Sequence, residues 1–111
     1  MLNALGTALS GLQAQTVKMD STANNVANSG SEGYKPTRVN LSENVQGGVS
    51  AHIEKTLSAP NSTQDTVNNA SQVNLAKEMI DMIETKRMYQ ANMTTVESSD
   101  KIVGKLLDAL G

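Results

Sequence analysis

The sequence predicts a mainly α fold: two long antiparallel helices, paired like a coiled coil, come from the N- and C-terminal segments, with a short β-hairpin and loop insertion between them. Three observations predict it. Apolar residues recur at alternating three- and four-residue spacing near each end of the chain, and that period gives way to apolar-polar alternation in the middle. The chain also has no Phe or Trp, the side chains that bury most area per residue, so its 111 residues are poorly supplied for a wide globular core. One structural unit with three parts follows: residues 1–28, an N-terminal helix; 29–72, a turn, a small hairpin and a polar linker; and 73–111, a C-terminal helix.

The first helix carries its seam on Leu2, Leu5, Leu9, Leu12, Met19 and Val26, with Thr16 and Ala23 filling the two gaps. Asn3 is the expected N-cap, and the pattern runs to about Asn28. Gly6 and Gly11 inside it each cost about 1 kcal/mol of helix propensity relative to Ala. Its end is rich in amide. In "ANNVANSGSEGYK", residues 23–35, Asn28 and Gly30 are expected to take left-handed backbone and turn the chain out, while Gly33 and Pro36 frame a further turn around Tyr34 and Lys35.

Val39 and Leu41 alternate with polar residues in 37–45, as do Val49, Ala51, Ile53 and Leu57 in 49–57. Gln46-Gly47-Gly48 between the two runs reads as a hairpin turn. Residues 58–72 are a polar linker containing Pro60 and five amides. Asn74 is then the expected cap of the second helix, with Glu78 in its first turn, where the helix dipole favours an anion. The second seam runs Leu75, Met79, Met82, Lys86, Tyr89, Met93, Val96, Asp100, Val103, Leu107 and Leu110. Lys86 and Asp100 are the two breaks in it, polar groups that either select register or are simply tolerated at the exposed edge of the pair. Two paired helices leave much of both seams uncovered, so copies of the chain or other proteins are expected to cover the rest.

Composition excludes several functions. A net charge of -2 gives no basic field for a phosphate backbone, so nucleic-acid binding is not expected. With no Cys and one His, His52, neither thiol chemistry nor a zinc site is expected. No glycine-rich phosphate loop followed by a basic anchor and no carboxylate pair with a surrounding pocket is read in the sequence, so no catalytic residue, cofactor or metal is assigned. The N-terminus has neither a basic n-region nor an unbroken apolar stretch, so no cleaved signal is expected, and no run approaches the roughly 20 residues of a membrane span.

Two motifs carry a resemblance. Ala23-Asn24-Asn25-Val26-Ala27-Asn28 with Gly33-Tyr34-Lys35 is similar to the N-terminal signature of the bacterial flagellar rod and hook proteins, approximately A-N-N-I-A-N-x-N-T-P-G-Y-K. Gly30, Ser31 and Glu32 stand where that family usually has Asn-Thr-Pro. "VNLAKEMIDMIETKRMYQAN", residues 73–92, resembles the family's C-terminal motif through its Val-Asn-Leu start, its Glu-Met pair and the Arg87, Tyr89 and Asn92 ending. The resemblance implies a flagellar basal-body rod subunit, of the proximal-rod type because the middle region is short.

Such a subunit is expected to leave through the flagellar type III export apparatus without a cleaved signal. It then assembles in the periplasm with other rod and axial subunits, as a homo- and hetero-oligomer, into a tubular helical polymer that transmits torque and walls the export channel. No membrane insertion is implied. The expected subunit contacts are Leu5, Leu9, Leu12 and Met19 on the first seam and Asn24, Asn25, Asn28 and Tyr34 at the amide-rich end. On the second helix they are Met79, Met82, Arg87, Tyr89, Asn92, Met93, Val96, Val103 and Leu107, with Arg87 and Tyr89 expected to bond to the asparagine-rich helix end across the pair or between subunits. The rival reading is a helical adaptor or secretion-chaperone-like module that clasps a partner's helix at fixed stoichiometry.

Overall fold

The computed structural model describes residues 2–56 and 71–111. Met1, Leu57 and all but the last two residues of the 58–72 linker lie outside the described residues. Two helices, α1 (Leu2–Ala27) and α2 (Leu75–Leu110), flank a hairpin of β1 (Thr37–Glu43) and β2 (Val49–Lys55). The mainly α class with a hairpin insertion is therefore observed. The molecule measures 73 × 27 × 14 Å with a radius of gyration of 19.4 Å. A compact chain of this length would have about 13 Å, so the elements form a thin rod and no central core.

Helix α2 begins where its local chemistry says it should. The Asn74 side chain accepts from Lys77 N at 3.2 Å, which satisfies one of the four orphan amides of the first turn, and Lys77 pairs with Asp81 one turn on at 3.2 Å. At the far end the Gly111 amide donates to Leu107 O at 3.1 Å. Helix α1 differs from expectation at both ends. Asn3 lies within it and so does not cap it. Beyond Ala27 the chain continues in tight turns, with Ser29 N to Val26 O and Ser31 N to Asn28 O, and neither Asn28 nor Gly30 has a positive φ. Short i to i−3 bonds already use those carbonyls, so the left-handed step is deferred to Gly33 at φ 68°.

The hairpin pairs in one unbroken antiparallel register from Thr37↔Lys55 to Glu43↔Val49, which sets Val39 beside Ile53 and Leu41 beside Ala51 on one face. Its loop closes through Asn44 N to Gly48 O at 3.0 Å and Gly47 N to Asn44 O at 2.9 Å, with both glycines at positive φ. A two-stranded sheet is barely stable alone. This one lies along α1: Thr37 at its base bonds Ser21 and Asn25, and the Val49 amide near its tip donates to Ser10 Oγ at 3.0 Å.

The two helices run antiparallel, because Asn25 meets Glu78 at one end while Gly11 faces Asn92 at the other. Gly11 has a packing reason to be glycine, since a Cβ there would stand 2.7 Å from Asn92 Nδ2. Continuing that register, the last turns of α2 extend past the described start of α1.

The faces that meet are not the expected ones. On α1 the packed row includes Ala8, Gly11, Gln15, Thr22 and Asn25, each one residue ahead of a predicted seam member. On α2 it is Glu78, Met82, Thr85, Asn92, Val96 and Ser99, which keeps Met82 and Val96 but replaces Met79, Lys86, Met93 and Asp100 by the residue before each. One residue is a rotation of about 100°, so much of each apolar row turns away from the partner helix. Small and hydrogen-bonding side chains permit a closer, geometry-specific approach than Leu and Met would, and hydrophobic periodicity does not report them.

Candidate functional site

Where a globular domain would bury Leu and Ile, this chain buries amide, hydroxyl and carboxylate. Among the described residues the buried apolar side chains are Ala8, Ala14 and Pro36, and the largest fully buried side chains of any kind are Glu78, Asn25 and Thr85. Uncompensated, such groups cost about 1–3 kcal/mol each, so their partners decide whether the interior holds.

Asn25 sits at the centre of a shared network. Its Nδ2 donates to Thr37 O at 2.9 Å and to Glu78 Oε2 at 3.1 Å. Its Oδ1 accepts from Thr37 N at 2.9 Å and from the Tyr34 hydroxyl at 3.2 Å. One amide therefore ties α1, the turn after it, β1 and α2 together. Glu78, with no exposed surface, completes its coordination by accepting from Arg38 Nη1, whose side chain reaches over from β1. Arg38 keeps a third of its side chain in solvent, which lowers the desolvation cost of the pair. Ser21 and Thr37 share a hydroxyl-hydroxyl bond of 2.6 Å beside this cluster. Backbone clamps surround it: Thr56 N and Oγ1 both reach Pro36 O, and Gln72 N reaches Tyr34 O at 3.1 Å.

The other asparagines of the opening stretch behave differently. Asn24 and Asn28 turn back on their own helix, donating to Asp20 O at 3.0 Å and Asn24 O at 2.9 Å. Thr85 does likewise to Asp81 O at 2.6 Å, which lets it be buried without a partner on α1. Arg87 and Tyr89 were expected near the asparagine-rich end. Within one chain the register sets Glu78 there and leaves both about two turns or more further along α2, exposed, so the bond across the pair is not formed and the one between subunits is left to the assembly. Arg38 and Thr37 were missed by sequence reasoning, and Arg38 had no local signal because its partner is forty positions away.

Outside this polar seam lies a broad apolar surface. Leu5, Leu9, Met79, Met93, Val103 and Leu107 are exposed, as are Ile80, Ile83, Ile102 and Leu106 beside them. Leu12, Met19, Met82, Val96 and Tyr34 are half-buried. Of the expected contact residues, only Asn25 is fully withdrawn into the chain. Large contiguous apolar surface on a chain this small marks a place where another molecule sits. No described helix is long and apolar enough to cross a membrane, and no cluster of three His, Asp or Glu is assembled among the described residues.

Antiparallel terminal helices around a polar seam, with apolar rows turned out, define a structural subunit built for assembly, and family comparison agrees. Residues 63–109 match the family described as flagellar basal body rod FlgEFG protein C-terminal, and residues 5–35 match the flagella basal body rod protein family. Together these matches span more than two thirds of the sequence, and the chain belongs to the flagellar basal-body rod protein family. It is a structural protein of the flagellar basal body that assembles with other rod and axial subunits. A search of curated proteins gives no match.

Proposed function

We propose that this chain builds the rod as a repeating subunit of a tubular helical polymer, in which each copy or related axial subunit covers the outward apolar rows of its neighbours. The observation that carries the reading is the inversion of the helix pair: polar and small residues close the contact between α1 and α2, while Leu9, Met79, Ile83 and Met93 remain exposed. In a polymer these rows become interior, and at about 25 cal/mol per Å² their coverage contributes the bulk of the binding energy. The same polymer transmits torque along its axis and walls the export channel, and its subunits arrive through the flagellar export apparatus.

Light scattering and electron microscopy of the purified chain against concentration test this reading. Open-ended growth into rods, or incorporation into rods with other axial subunits, is the expected result. A fixed dimer or one-to-one heterodimer that never grows would favour the helical adaptor instead.

A further inference from the structure

A cleft of about 260 Å³ opens where α1, β1 and the first turns of α2 meet. Lys18 and Thr22 line it from α1, Arg38 and Asn40 from β1, and Lys77 and Asp81 from α2. In a chain of net charge -2, its wall therefore carries three cations and one carboxylate. Arg38 spends Nη1 on buried Glu78, and Lys77 holds Asp81 at 3.2 Å, yet their side chains stay 33% and 54% exposed. Lys18 is half-buried and makes no hydrogen bond or ion pair among the described residues. Each carboxylate is neutralised by its own cation, which leaves the Lys18 charge over.

Thr22 points to what this cleft is for. Thr16, Thr85, Thr94 and Thr95 each donate to the carbonyl four residues back on their own helix, the usual resort of a helical threonine. Thr22 is 4% exposed and makes no hydrogen bond among the described residues. Gln15 Oε1 is the one buried side-chain atom there that is both unpartnered and sealed from solvent, so the Thr22 hydroxyl keeps an opening, and the cleft is what it opens on. A spare hydroxyl and a spare ammonium beside a guanidinium are a surplus of donors, which a compact anionic acceptor matches. We propose that the cleft is an oxyanion site taking one phosphate or one carboxylate, held by Lys18, the Thr22 hydroxyl and the outer edge of the Arg38 guanidinium, with Lys77 at its rim. Because its donors come from three elements, a bound anion holds α1 against the hairpin and α2. The anion has two sources, free phosphate or an acidic side chain of a neighbouring axial subunit.

Inorganic phosphate is the probe, titrated into the full-length chain against chloride at equal ionic strength. Saturable amide shifts at Lys18, Thr22 and Arg38 are expected in nuclear magnetic resonance spectra, with a rise in thermal midpoint because the anion binds the folded chain. Lys18→Met and Thr22→Val alter groups that have no partner in the chain, so both should fold as the parent does, and each should weaken phosphate binding about tenfold. A midpoint rise that persists in full in Lys18→Met would be the general stabilising effect of an excluded salt. That result, or the absence of saturable shifts, would overturn the site. Assembly followed by light scattering separates the two sources once the site is occupied. Phosphate that raises the concentration needed for assembly identifies a neighbour's carboxylate as the natural occupant, and phosphate that lowers it or leaves it unchanged identifies the free anion. The titration reads a single chain, so a parent that never assembles would defeat the proposed polymer without touching this site.

Discussion

Glu78 and Arg38 form the pair on which the interior depends, and their unequal burial predicts unequal mutants. Replacing Arg38 by Met leaves a carboxylate with no exposed surface facing only the Asn25 amide, a loss of about 3–5 kcal/mol, comparable to much of a small domain's stability. Replacing Glu78 by Met leaves a guanidinium that already has a third of its side chain in water, so the cost is smaller. Replacing both should recover most of the Arg38→Met loss, because two apolar side chains can fill the same space. Urea unfolding followed by helix content measures the three variants, and a double mutant as unstable as Arg38→Met would refute the pairing as the source. Gly48 is a second sensitive residue. Its φ is +91°, and a Cβ there would lie 2.7 Å from Ser10 Oγ, the atom that accepts from the Val49 amide. Gly48→Ala should therefore cost about 1–3 kcal/mol and loosen the hairpin tip from α1, seen as faster hydrogen exchange at Val49 with the cluster around Asn25 unchanged.

Among the elements, local signals in the sequence proved readable and relational ones did not. The Asn74 cap, the reach of α2 to Leu110 and the hairpin across Gln46-Gly47-Gly48 each follow from a few adjacent residues, and each is found. The rotation of both helices was hidden, because periodicity reveals which residues are apolar and says nothing of which molecule covers them. The packed row of Glu78, Thr85, Asn92 and Ser99 recurs every seven residues as cleanly as the apolar one, but polar heptads ordinarily mark a solvated face. Nor was the Asn25 to Glu78 bond accessible, since its ends lie 53 residues apart. The rotation has its own consequence. Leu9→Ser and Met93→Ser change exposed side chains and should shift the stability of the isolated chain by no more than about 0.5 kcal/mol. The same changes should raise the concentration needed for assembly. Gly11→Leu belongs to the opposite class: it wedges the helices apart at Asn92 and should destabilise the chain itself by about 1–3 kcal/mol. Thermal melts paired with scattering separate the two classes.

For the whole molecule, the accessible surface is 8366 Å², against about 5,900 Å² for a compact protein of 11.7 kDa. The excess exceeds what a standard protein interface buries in total, about 1,600 Å², so the proposed polymer has surface enough for more than one neighbour. The polar seam supplies orientation more than energy, since each net hydrogen bond contributes only about 1 kcal/mol while ordering each residue costs about as much or more. A free chain should then hold its helix pair weakly, most of all in residues 1–25, where α1 depends on contacts with α2 and the hairpin and carries Gly6 and Gly11 within it. Hydrogen exchange on the dilute chain should find little protection there and more across the middle of α2, with protection in both helices rising together as assembly proceeds. Uniform protection of both helices in a chain that remains monomeric would mean that the polar seam suffices on its own, and the outward apolar rows would lose their role in holding the fold.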